Sequence, residues 1–257
     1  DSVPILFISG QVKSNETTSY LKKEKNIDLR HYSGAEVDII SIVKPITKYA
    51  VEINDKKDIK FIMEKLYYEL TNGRPGPVWL SVPSDIQGQI LTDDIEYPVF
   101  KQTHYEDYDL SKLLDLKELF KKANRPMIVM GNGIRLSNTV EKFRKFIDEY
   151  KIPCVATFFG ADLLENSNDM YVGRIGLVGE RSGNFAVQNC DLLISLGSRM
   201  AQGLVGYNSQ WFAREAKIVY FDIDEEELKK ENVKYELKFK MDLRTFFDNI
   251  VLDKKEK

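Results

Sequence analysis

At 257 residues the chain has room for one large domain or about two ordinary ones. Lys and Arg total 37 against 40 Asp and Glu, a formal charge of −3, and 43% of residues are apolar. That balance argues against a nucleic-acid partner, and with no apolar run of about 18 residues no membrane span is expected.

Taken from the start, the chain passes from Asp1 directly into the apolar run Val3-Pro-Ile-Leu-Phe-Ile8. Chain ends are usually polar and loosely held, so this start reads as part of a longer chain, with a removed signal peptide as the other reading. A strand is expected over 5–9. Ile59, Ile62, Met63, Leu66 and Leu70 fall on one helical face. That helix should stop at Asn72-Gly73, where Gly73 takes the left-handed conformation. Gly73-Arg-Pro-Gly-Pro77 is a stiffened turn into a strand over 78–82. Two strands and one strong helix are little for an independent core, which again points to sequence outside this chain.

Residues 89–111 hold Asp93, Asp94, Glu96, Pro98, Glu106, Asp107 and Asp109 with no clear period, the composition of a linker. It separates a first domain over 1–88 from a second over 112–257. In the second, apolar helical stripes are Leu113, Leu114, Leu116 and Phe120; Val140, Phe143, Ile147 and Tyr150; and Leu243, Phe246, Phe247 and Ile250. Asn138 and Glu141 have capping-box spacing. Continuous apolar strands are expected over 127–130, 153–157, 192–196 and 218–223. Helices alternating with such strands give an α/β fold: a doubly wound parallel-sheet domain preceded by part of a second α/β domain. Residues 254–257 form a charged tail.

Cys154 and Cys190 cannot form a disulfide framework; they read as small buried hydrophobes in a reducing, cytoplasmic setting. His31 and His104 are too few for a His-rich metal centre, and His31 has no serine–carboxylate constellation around it. No CxxC, HExxH, GxSxG or GxxxxGK[ST] motif occurs.

The chemistry is expected at strand ends. Gly131, Asn132 and Gly133 follow the strand over 127–130 and precede a helix, a turn that lets backbone approach a phosphate. The third glycine of a dinucleotide fingerprint falls at Leu136, so a tight structural turn stands beside that reading. Gly197, Ser198 and Arg199 follow the strand over 192–196; Arg199 is either an anion contact or a solvated loop arginine. Asp222 and Asp224 end the last strand, positioned to hold a ribose hydroxyl. Asp224 is equally placed to cap the helix beginning at Glu225, and the two roles are compatible.

Several stretches resemble thiamine-diphosphate-dependent enzymes of the acetolactate synthase group. In order they are Pro4-Ile-Leu-Phe-Ile-Ser-Gly-Gln11-Val12, Glu36-Val-Asp38-Ile39, Lys44-Pro-Ile-Thr-Lys48, Gly73-Arg-Pro-Gly-Pro-Val78 and Val82-Pro-Ser-Asp-Ile86. Gly160-Ala-Asp-Leu-Leu164, Gly173-Arg-Ile-Gly-Leu-Val-Gly-Glu180, Asn184 to Leu193 and Phe221-Asp-Ile-Asp-Glu225 continue the series. The resemblance implies the C-terminal half of a thiamine pyrimidine-binding domain over 1–88 and a central domain over 112–257. It places the family's catalytic glutamate upstream of this chain and its Gly-Asp-Gly…Asn motif for Mg²⁺ and diphosphate downstream. No catalytic or metal-ligating residue is therefore assigned within the chain, and the chain alone is expected to be inactive.

For the full-length protein the resemblance implies thiamine diphosphate and Mg²⁺, a small 2-oxo acid substrate, decarboxylase or carboligase activity, and a homodimer or homotetramer. It places Gln11 nearest the cofactor. It places FAD, where family members bind it, around loops containing Gly131, Asn132, Gly133, Thr157, Gly197, Ser198, Arg199, Asp222 and Asp224. Three departures stand out: Gly34-Ala35 replaces the family's Phe-Gln, Ser84 its Pro-Lys-Asp lysine, and Met200-Ala-Gln-Gly203 its Asp-Asp-Arg. The first weighs against pyruvate-to-acetolactate chemistry specifically and the other two against FAD. The competing reading is a stand-alone FAD-, NAD- or ADP-binding or oligomerisation module.

Overall fold

The structure, a computed structural model, describes residues 2–91, 100, 108 and 110–253. Most of the expected linker, His104 and the 254–257 tail lie outside the described residues. The chain divides into two compact units, Asp1–His104 and Tyr105–Lys257.

The first unit runs β1 (Leu6–Gln11), α1 (Thr18–Lys25), α2 (Ile39–Val43), β2 (Tyr49–Glu52), α3 (Ile59–Thr71), β3 (Val78–Pro83) and α4 (Ser84–Gln87). Its strands are all parallel, in the order β1-β3-β2. One face of β3 presents Val78 and Leu80 to Ile62 and Leu66 of α3, and Ile53 completes a small buried core. On the other face Phe7 stacks on Trp79 at 5.0 Å, and the Trp79 indole donates to Ser9 Oγ at 2.9 Å. Gly73 ends α3 with φ +63°, as its position after Asn72 requires.

Three elements of this unit carry weak sequence signals. α1 buries no residue and so has no apolar stripe to read. α2 is five residues long and buries only Val43. β2 is four residues long, and all four are half-buried.

The second unit contains α5 (Lys112–Lys122), β4 (Pro126–Met130), α6 (Gly133–Leu136), α7 (Val140–Tyr150), β5 (Cys154–Ala156), β6 (Tyr171–Arg174) and α8 (Arg181–Asn189). It continues with β7 (Leu192–Leu196), α9 (Gln202–Val205), β8 (Lys217–Asp222), α10 (Glu225–Leu228), β9 (Leu237–Lys240) and α11 (Leu243–Asn249). Six parallel strands form one sheet in the order β6-β5-β4-β7-β8-β9. The chain winds outward from β4 through β5 to β6, then returns beside β4 with β7 and winds the other way. The doubly wound α/β expectation holds, and the winding reverses between β4 and β7.

Period-two alternation divides the strand residues between two cores. Ile128, Met130, Ile194, Leu196, Val219 and Phe221 pack with Leu116 of α5, Phe143 of α7 and Phe246 of α11. Met127, Val129, Leu193, Ile218 and Tyr220 pack on the other face with Val187 of α8, Val205 of α9 and Phe212. Leu114, assigned to the α5 stripe by its spacing, is instead 61% exposed. The capping box at Asn138 does not form. Asn138 has φ +56°, α7 starts one residue later than that box requires, and its N-cap Thr139 donates its hydroxyl to Ile134 O at 3.0 Å.

Candidate functional site

In an open α/β sheet the crevice for a ligand lies beyond the carboxyl ends of the strands, where the winding reverses. Here that point is flanked by the loop after β4, with Gly131, Asn132 and Gly133, and the loop after β7, with Gly197, Ser198 and Arg199. The two loops meet backbone to backbone. A Cβ on Gly131 would lie 2.2 Å from the Gly197 carbonyl oxygen, and one on Gly133 would lie 2.6 Å from Gly197 Cα. Gly197 itself has φ +60°. The glycines are therefore needed for close loop packing.

The turn spends its donors on that packing. Gly131 N–H donates to Leu196 O at 3.0 Å, and Gly133 N–H to Gly197 O at 2.9 Å. Further donors at the start of α6 are also taken: Ile134 N–H by Gly131 O at 3.2 Å, and Arg135 and Leu136 N–H by Asn132 O at 3.0 Å each. A helix N-terminus binds phosphate through donors its own chain leaves unpaired, and the Gly133, Ile134 and Arg135 N–H groups are already paired. Most of the donors a diphosphate would use at this turn are thus engaged within the chain.

Thr157, after β5, uses both its N–H (3.1 Å) and its hydroxyl (3.2 Å) on Met130 O. Ser198 is buried, and its Oγ accepts from Met200 N–H at 3.4 Å. Arg199 Nε pairs with Glu227 Oε1 at 3.1 Å, and Glu227 also takes the Lys230 ammonium. Asp222 is buried at the end of β8. Its Oδ1 accepts from Asp224 N–H at 2.9 Å and its Oδ2 from the Tyr220 hydroxyl at 3.3 Å. Burial, reinforced by the charges of Asp222 and Glu227, pushes the Tyr220 hydroxyl far up, so it remains a donor. Asp224 Oδ1 accepts from Glu226 N–H at 3.0 Å and caps α10.

Residues the sequence reading did not single out complete this arrangement. Arg135 spans two strand-end loops: it donates to Asn132 Oδ1 at 2.7 Å, to Phe159 O at 3.0 Å and to Asp162 Oδ1 at 2.5 Å. That bond with Arg135 holds the Asp162 carboxyl below the usual range. Glu227 sits 28 positions from Arg199, beyond the reach of any local pattern. Arg135 had a signal, being two residues past Gly133 at the mouth of the turn.

Gln11 belongs to the first unit, at the end of β1. Its Nε2 donates to Val37 O at 2.7 Å and its Oε1 accepts from Val12 N–H at 3.0 Å. Around it, Glu36 accepts from Thr18 N–H at 2.9 Å and from the Thr18 hydroxyl at 2.6 Å, while Asp85 accepts from the Ser14 hydroxyl at 2.6 Å. Among the described residues no group of three or more His, Cys, Asp or Glu is placed to hold a metal ion. No described helix is long and apolar enough to cross a membrane.

Residues 113–250 match the family described as "Thiamine pyrophosphate enzyme, central domain". The chain is 33% identical over 233 residues to the acetolactate synthase large subunit of Lactococcus lactis, an alignment covering 90% of this chain and 38% of that protein. It is 29% identical over 231 residues to the acetolactate synthase isozyme 2 large subunit of Escherichia coli, covering 90% and 39%. It is 30% identical over 238 residues to the probable acetolactate synthase large subunit of Methanocaldococcus jannaschii, covering 90% and 38%. The chain thus spans under two fifths of the length of these relatives.

Proposed function

The chain belongs to the thiamine pyrophosphate enzymes through its central domain, and from that premise we propose that it is part of an acetolactate synthase-like enzyme acting on a 2-oxo acid. One observation carries the reading. Likeness to acetolactate synthase large subunits extends over 90% of the chain, beyond the central domain and into the first unit. Residues 1–88 are proposed as the C-terminal half of the pyrimidine-binding domain, 89–111 as a linker, and 112–257 as the central domain.

In the whole protein, thiamine diphosphate supplies the electron sink for decarboxylation. By the same likeness we propose that its Mg²⁺ and diphosphate are held by residues outside this chain. Gln11 is the residue proposed to lie nearest the cofactor; its hydrogen bonds to Val37 O and Val12 N–H hold the amide fixed at the strand end. The whole protein is proposed to work in the cytoplasm as a homodimer or homotetramer.

Release of CO₂ from a panel of 2-oxo acids, with thiamine diphosphate and Mg²⁺ supplied, tests this. The whole protein should release CO₂ only when both are present, and this chain alone should release none. Turnover by this chain, or a whole protein inert across the panel, would overturn the reading.

A further inference from the structure

The crevice between the β4 and β7 loops is where a doubly wound sheet ordinarily takes its ligand, and in this chain its walls are joined to each other. We propose that it takes no dinucleotide, and that the Glu227 carboxylate does for Arg199 what a ligand's phosphate would do. The inference goes beyond the decarboxylation reading and does not depend on it, because thiamine chemistry assigns no atom to this crevice.

A dinucleotide needs three things at such a site: unpaired N–H groups for its diphosphate, a cation or helix end beside them, and a strand-end carboxylate for a ribose hydroxyl. Each is present by residue type and largely committed elsewhere. The Gly133, Ile134 and Arg135 N–H groups that open α6 are closed on Gly197, Gly131 and Asn132. Arg199 is held twice from one side, its guanidinium by Glu227 and its carbonyl by the Lys230 ammonium at 3.3 Å. Next to it, Met200 keeps φ +44°, its carbonyl accepting from Asn232 Nδ2 at 2.7 Å. Asp222 holds the main chain at Asp224, and Asp224 caps α10.

Glu227 is the pivot because of where it sits. Its side chain is 7% exposed, against 47% for Arg199. A buried carboxylate is tolerated only while its cations and hydrogen bonds are kept. A phosphate drawing Arg199 away would take one cation from this buried carboxylate and break one of the contacts that hold the loop after β7. Arg135, in α6 just past the β4 turn, is likewise held by Asp162, Asn132 Oδ1 and Phe159 O, tying the loops after β4 and β5. The crevice is thus built as a joint between loops.

Two measurements test this. FAD, NAD⁺ and ADP are each titrated into the full chain to millimolar concentration, followed by calorimetry and, for FAD, by flavin fluorescence. No saturable binding is expected, and one-to-one binding of any of the three would overturn the proposal. Hydrogen exchange then compares the native chain with Glu227→Gln. Exchange at Gly197, Ser198, Arg199 and Met200 should quicken about tenfold or more while the β4 and β5 amides stay unchanged. Unchanged exchange at those four amides would remove Glu227 as the pivot. Arg199→Gln, at a half-exposed side chain, provides the same comparison should Glu227→Gln fail to fold.

Discussion

Ser195 lies in the middle of β7 with its hydroxyl fully buried and, among the described residues, without a hydrogen-bond partner. Leaving a buried hydroxyl unsatisfied costs more than having none. Ser195→Ala should therefore raise stability by up to about 1 kcal/mol, seen as a higher urea midpoint at unchanged slope. Gly131 carries the opposite expectation. A methyl group there meets the Gly197 carbonyl oxygen at 2.2 Å, backbone against backbone, so neither side can yield cheaply. Gly131→Ala should cost about 3 kcal/mol or more by the same measurement, and a loss under about 1 kcal/mol would contradict the loop packing described. The residue types at these strand ends were legible in the sequence. What each was committed to was not, because the partners lie far away in the chain: Gly197 for Gly131, Glu227 for Arg199, Met130 for Thr157.

At the scale of elements, the first unit holds its β1–α1 region through two carboxylates. Burial pushes the Glu36 carboxyl up, but the Thr18 hydroxyl and the Thr18 and Tyr32 N–H groups more than reverse this, leaving it below its ordinary value. Asp85 behaves alike, with burial opposed by the Ser14 hydroxyl and N–H. A carboxyl depressed in the folded state binds fewer protons there than when unfolded. Its contribution is present above the unfolded value of about 4 and is lost as pH falls through the lower folded value. Unfolding of the first unit, measured between neutral pH and pH of about 3, should be flat down to about 4.5 and then weaken. Glu36→Gln should flatten that acid limb; an unchanged limb would show that the carboxylate is not responsible.

Elements with a wide apolar stripe or a continuous apolar run, such as α3, α7, β4 and β7, were readable from the sequence. β6 and β9 were not. β6 is four residues long with Gly173 at φ +125°, and β9 alternates Leu-Lys-Phe-Lys at the sheet's far side. Short edge strands of that kind carry little continuous apolar signal.

On the scale of the whole molecule, the two units differ sharply in how much they bury. Among the described residues, the first unit's core cluster contains five buried apolar residues. The second contains two such cores, one on each face of its sheet, and Phe221 of one stacks on Phe239 at 4.3 Å. Each buried Leu, Ile or Phe contributes about 1.5–3 kcal/mol, so the difference places most of the chain's stability in the second unit. The alternation of helices and apolar strands made that doubly wound fold legible in advance. The first unit was harder to read because so little of it is core. The chain thus supplies a well-packed central domain, and on the proposed reading the groups that bind thiamine diphosphate and Mg²⁺ lie in the rest of the whole protein.

Calorimetric titration with thiamine diphosphate and Mg²⁺, run in parallel on the 257-residue chain and on the whole protein, tests that division most directly. One saturable site per chain is expected in the whole protein and none in this chain. Tight Mg²⁺-dependent binding by this chain alone, or none by the whole protein, would contradict it.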